Sequence, residues 1–257
     1  MKFKHDVIGP DFDNADIINF EFDGADLSLR LPKDPDSSPG YVAKQNQKIL
    51  PTEPNNRWVT HPLGFRIFDM VRQSWSYRDE QSYVRVASEH FDLYLIELPD
   101  EIYPELNPLN KQQFLEWLFR FFRLISVRGD ESLLNSEVEL ENMKAHMMPL
   151  SIEQIEIHPA GILDWSMLTI SMPYEDDDEA NANRDPDYFI YIPLNERLFL
   201  YIDHSLGILS SESTPITLPK TEILALKREI LNEILAHIKV TYSPEVLKLI
   251  EEQNSQA

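Results

Sequence analysis

Between Ile155 and Ser205 apolar residues return at every second position: at Ile155 and Ile157, at Leu168, Ile170 and Met172, and at Leu198, Leu200 and Ile202. A strand with one buried face requires this period, because successive side chains point to opposite sides of the backbone. Three such runs in succession predict an antiparallel meander. Between Tyr174 and Tyr188 they are interrupted by seven carboxylates, Glu175, Asp176, Asp177, Asp178, Glu179, Asp185 and Asp187, against one cation, Arg184. Unpaired carboxylates are too costly to bury, so the insertion is expected to be a solvated loop.

The alternation appears again near the N-terminus. Ile18, Phe20 and Phe22, then the turn pair Asp23-Gly24, then Leu27, Leu29 and Leu31 predict a hairpin. From Pro32 to Pro62 there are six prolines in 31 residues, which predicts an irregular connection ending in a short strand at 57–60. Residues 65–77 fit a helical face through Phe65, Phe68, Val71 and Trp75, and fit a strand as well. Residues 83–87 and 91–98 read as two strands.

Two longer segments carry the helical period. In 111–126, Phe114, Trp117, Phe121 and Leu124 share a face, Asn110 with Gln113 supplies an N-terminal cap, and Gly129 follows the end. In 221–240 the stripe is Ile223, Leu226, Ile230, Ile234 and Ile238, and Ser243-Pro244 then opens a short terminal helix, 244–253. Residues 130–148 are acidic, have helical potential and link two halves. The predicted fold class is therefore α+β, mainly antiparallel sheets with two long amphipathic helices, with an N-terminal half at 1–130 and a C-terminal half at 150–257. His61-Pro62-Leu63-Gly64 and His158-Pro159-Ala160-Gly161 repeat one HPxG pattern 97 residues apart. That repeat predicts two tandem, similar halves packed as one body.

Charge narrows the partner. With 44 acidic and 23 basic side chains the net charge is −21, a field that repels nucleic acid and anionic membrane surfaces and attracts a basic protein. The competing reading of the same charge is solubility alone. There is no cysteine, so thiol catalysis and thiolate metal sites are excluded. The seven glycines lie at least 15 residues apart, too far for a phosphate-cradling loop, and neither GxSxG nor HExxH occurs. Glu156 and His158 make only two metal ligands, and the acidic loop lacks the glycine and glutamate spacing of a calcium loop. No cofactor or metal is expected. Without a signal-like or membrane-spanning apolar run, a cytoplasmic location is expected.

The segment 57–85 holds five arginines among large aromatics, and Arg57, Trp58, Arg72, Trp75 and Arg78 are its candidate contact residues. The acidic loop is the other candidate surface. In size, acidity and lack of catalytic motifs the chain resembles bacterial toxin-antagonist proteins. The acidic surface and the missing catalytic motifs point to a non-enzymatic inhibitor, immunity-type or adaptor protein whose expected partner is a basic protein, a toxin or effector among the candidates. The alternative is a hydrolase using Asp203, His204, Glu156 and His158. Against it, Asp203 and Ser205 face one side of a strand and His204 the other.

Overall fold

The computed structural model describes residues 7–32, 41–42, 49, 58–80, 85–145, 149–160, 163–170, 188–208 and 220–254. In chain order the strands are β1 (Val7–Ile8), β2 (Asp16–Glu21), β3 (Ala25–Leu31), β4 (Tyr41–Val42), β5 (Trp58–Thr60), β6 (Arg66–Asp79), β7 (Arg85–Glu97), β8 (Glu156–Ala160), β9 (Leu163–Ile170), β10 (Tyr188–Pro193), β11 (Leu198–Ile208) and β12 (Ile238–Tyr242). The helices are α1 (Lys111–Ser126), α2 (Glu137–Ala145), α3 (Lys220–Ala236) and α4 (Pro244–Asn254).

Among the described residues nine strands make one antiparallel sheet in the order β1-β6-β7-β11-β10-β9-β8, with β4 and β5 also paired to β6. The predicted meander is its second half, with four strands, β8 to β11, where three were expected, β10 being the addition, and the predicted α+β class holds. Its centre is the β7–β11 ladder, in register from Ala87↔Ile208 to Glu97↔Leu198. A smaller antiparallel sheet has the order β12-β3-β2 and contains the predicted N-terminal hairpin.

Alternation in the central strands sorts the two faces of the large sheet. Ala87, Glu89, Phe91, Leu93 and Leu95 of β7 and Leu200, Ile202, His204 and Leu206 of β11 are buried on one face. The small sheet meets the large one through Trp75, whose indole N–H donates to the Pro32 carbonyl at 2.6 Å, and through Tyr242, whose hydroxyl donates to the Pro193 carbonyl at 2.7 Å. Phe12 stacks on His237 at 5.1 Å and tilts against Trp75 at 5.9 Å. On the opposite face lies α1. Its Phe114 packs edge-on to Phe199 at 5.1 Å, and Phe121 edge-on to Phe65 at 5.3 Å.

The cap of α1 is a variant of the one anticipated. Asn110 Oδ1 accepts from the Gln113 N–H at 3.1 Å, but the Gln113 side chain accepts from the Asn107 N–H rather than reaching Asn110. Residues 66–79 are a strand, and the two strands anticipated around 83–98 are one, β7. The helix anticipated to run to 240 stops at Ala236, and Ile238–Tyr242 instead pairs with β3. The β-branched residues Ile238, Val240 and Thr241 suit an extended chain, and the open edge of β3 offers backbone partners that a helix end lacks. The tandem halves are not established by this arrangement. Among the described residues no helix is long and apolar enough to cross a membrane.

Candidate functional site

One end of the large sheet carries the turns around residues 61–64 and 194–197 and the start of α1. Among the described residues two concavities open there. The larger is an open groove of about 810 Å³ where the β2–β3 turn, the β10–β11 turn and the junction of β12 with α4 converge. Glycine makes the first turn possible: Gly24 has φ +84°, and its carbonyl accepts from the Ser243 N–H at 2.9 Å. Asn195 ties the turns together by donating to the Asp23 carbonyl at 2.6 Å. Four exposed carboxylates, Asp23, Asp26, Glu196 and Glu245, line the groove. The arginine among its described lining residues, Arg197, forms an ion pair with Asp100. Hydrogen bonds from its own backbone N–H and from Ser243 hold the Glu245 carboxyl below its ordinary value, so it is ionised at neutral pH.

The smaller concavity, about 300 Å³, lies between the 61–64 turn and α1. The first HPxG segment builds one wall. His61 Nδ1 accepts from the Leu63 N–H at 3.2 Å, the His61 ring stacks on Phe65 at 4.3 Å, and Gly64 takes φ +90°. The Leu63 carbonyl then accepts from the Tyr103 hydroxyl at 2.5 Å. Trp117 and Phe121 of α1, stacked at 5.3 Å, form the opposite wall.

Further along the α1 face, Tyr94, Tyr201 and Tyr191 sit directly opposite one another on β7, β11 and β10, with rings stacked at 5.5 and 5.2 Å. The adjacent row is Arg72, Asp92, Asp203 and Phe189. Burial and then the Asp92 charge push the Tyr94 hydroxyl up to about 12, and it donates to Asp92 at 3.1 Å.

The opposite face holds a buried polar chain. The Tyr77 hydroxyl donates to Glu89 Oε2 at 2.6 Å, and Glu89 Oε1 lies 2.8 Å from His204 Nε2. Burial, followed by the charge of Glu89, drives the Tyr77 hydroxyl far above its usual range. The side chains of His204 and Glu89 are 1% and 0% exposed. His204 therefore faces the core while Asp203 lies on the other side, as strand alternation required.

The predicted contact residues are dispersed. Glu175, Asp176, Asp177, Asp178, Glu179, Asp185, Asp187 and Arg57 lie outside the described residues. Trp58 is half-buried, tilted against Phe68 at 5.4 Å with the Arg66 guanidinium over its ring. Arg72 is exposed and pairs with Asp69 at 3.0 Å. Arg78 is half-buried opposite Arg85. Trp75 is 1% exposed, so its ring serves the core and is not available as a contact residue. The strand containing Glu156 and His158 is β8, and among the described residues no group of three His, Asp or Glu could hold a metal.

Residue reading missed Glu89 and Tyr77, although a signal existed: Glu89 is a carboxylate in the core phase of a strand that otherwise reads Ala87, Phe91, Leu93, Leu95. Nothing comparable marked Ile102 and Tyr103, which come from an irregular segment. Comparison with protein-family models, curated proteins and solved structures finds no match.

Proposed function

We propose that this chain is an acidic protein-interaction module of the inhibitor, immunity or adaptor kind, acting in the cytoplasm by docking on a basic surface of another protein. The observation that carries the reading is the groove at the sheet end. Three segments distant in sequence bring four carboxylates to it, and its arginine is already held by Asp100. A cationic segment entering there meets no free positive charge from Arg197, and the overall charge of −21 draws such a partner in from a distance. The acidic loop 175–187 adds to the same field. Burial of His204 in contact with Glu89 speaks against the hydrolase alternative, since a general base must reach its substrate.

The relation between the two halves belongs to this proposal too. The first HPxG copy joins the paired strands β5 and β6, and the second begins in β8, which pairs with β9. The offset of 97 also carries the start of β6 at Arg66 onto the start of β9 at Leu163. We read the acidic loop as a specialisation of the second copy.

The test is affinity capture at low salt, identification of what is held, and stopped-flow association of the pure pair. The reading requires a basic partner whose association slows about tenfold or more when Asp26, Glu196 and Glu245, or Asp176, Asp177 and Asp178, become amides. A neutral or acidic partner, or association rates unchanged in both variants, overturns it.

A further inference from the structure

The pocket between the 61–64 turn and α1 is connected to the acidic groove through residues 100–102, and it is apolar where the groove is charged. The link is covalent and electrostatic: Arg197, which lines the groove, pairs with Asp100, two residues before Ile102 on the pocket wall. Ile102 is 50% exposed, although it is a large aliphatic side chain on a segment held by hydrogen bonds from Ile102 and Tyr103 N–H to the Pro99 carbonyl. It is seated over Gly64, where a Cβ would approach Ile102 Cδ1 to 2.5 Å, so the turn has left space for it. The partly buried aromatic surface of Trp117 and Phe121 completes the cavity.

The framing segments 99–106, 116–124 and 128–131 carry six carboxylates and three arginines. Arg120 is paired with Glu131 on the pocket rim at 3.1 Å, Arg123 with Glu139 and Asp100 with Arg197, so the carboxylates outside these pairs are Glu101, Glu105, Glu116 and Asp130, and the cation outside them is Arg128. An apolar socket within a negative surround is complementary to an apolar side chain flanked by cations. At about 300 Å³ it is at the lower end of ligand-site volumes, suited to one anchor side chain rather than to a whole small molecule.

Resting on the docking reading above, we infer that this pocket takes a phenylalanine, leucine or methionine anchor from the basic segment of the partner, whose lysines or arginines run along the groove. The first HPxG turn then has a function: it shapes the apolar half of a bipartite site.

The experiment uses the full chain and three labelled peptides of about nine residues, followed by fluorescence anisotropy and by the Trp117 indole N–H resonance. The first alternates lysine and serine around a central phenylalanine. The second replaces that phenylalanine by alanine, and the third replaces the lysines by serine. Burial of one large apolar side chain predicts that the first peptide binds about tenfold or more tighter than the second. It also predicts that Ile102→Asp, a change at an exposed position, removes this difference while the melting temperature is kept. Equal binding of the first two peptides overturns the anchor while leaving salt-dependent docking on the groove intact. Equal binding of the first and third overturns the basic occupant. If none binds, the inference falls. The docking reading is then decided separately by the partner-association rates of the amide variants.

Discussion

Glu89 and His204, on adjacent strands, meet at 2.8 Å inside the core, and Tyr77 closes on the same carboxylate from the other side at 2.6 Å. The carboxylate is the hub of this chain, so its removal leaves two buried polar groups without their shared partner. Glu89→Ala is expected to destabilise the fold by about 3–5 kcal/mol, whereas Tyr77→Phe removes one charged hydrogen bond and costs about 1.5–3 kcal/mol. Urea unfolding of both variants tests the order, and equal losses would show that Glu89 is not the hub.

The docking of α2 on α1 is sensitive to acid. Glu139 accepts from Arg123 Nε at 2.5 Å and from the Asn135 N–H. The Arg123 hydrogen bond is the chief reason that its carboxyl lies below the ordinary 4.5. A depressed carboxyl contributes stability that is complete above the unfolded value and is lost as pH falls through the folded one. Glu139→Gln should therefore lower stability at neutral pH by about 1.5–3 kcal/mol and flatten the acid limb below 4.5, as measured by denaturant titration at several pH values.

His61 gives a second pH dependence in a higher window. Burial lowers its pKa from 6.5, and its Nδ1 must be unprotonated to accept the Leu63 N–H. The neutral form is the stabilising one, so this contribution is complete above 6.5 and declines as pH falls through the lower folded value. An NMR titration of the His61 ring should give a midpoint below 6.5, and a midpoint above it would remove the bond from the working structure.

At two glycines with positive φ, Gly24 and Gly64, an added side chain would also meet a close neighbour. A Cβ at Gly24, with φ +84°, would come within 2.6 Å of Val246 Cγ2, and one at Gly64 would press on Ile102. Each alanine substitution should cost about 1–3 kcal/mol by thermal unfolding. Gly24→Ala should loosen α4, and Gly64→Ala the pocket wall. A control at Gly207, whose nearest neighbour to a new Cβ is Ser88 at 3.7 Å, should cost less.

Neutralising the groove should affect encounter more than residence. In Asp26→Asn/Glu196→Gln/Glu245→Gln, the association rate with a basic partner should fall at low salt and converge on the unmodified rate at high salt, with dissociation changed little. Surface plasmon resonance across a salt series separates the two rates.

The sequence was most readable where one local rule decides the structure. The N-terminal hairpin follows from alternation and Asp23-Gly24, α1 follows from its apolar stripe and Asn110, and α4 follows from Ser243-Pro244. It was least readable where partners are distant. Residues 238–242 continue the apolar stripe of α3 and become a strand only because β3 has an edge to offer, more than 200 residues upstream. Likewise Tyr77, Glu89 and His204 belong to three strands, and only their common phase on the core face connects them. The groove carboxylates come from three turns that a linear reading has no reason to associate.

The β7–β11 ladder joins residues that are 101 to 121 positions apart in the chain. On the ribosome, β7 therefore leaves the exit tunnel long before its permanent neighbour exists. Until β11 is made, that strand has an apolar flank and unpaired backbone on the side it will later close, which is the hazard that unprotected edges carry. So many remote pairings also make for slow folding. Production of this protein should therefore respond to chaperone supply and growth temperature more than its ordinary composition suggests.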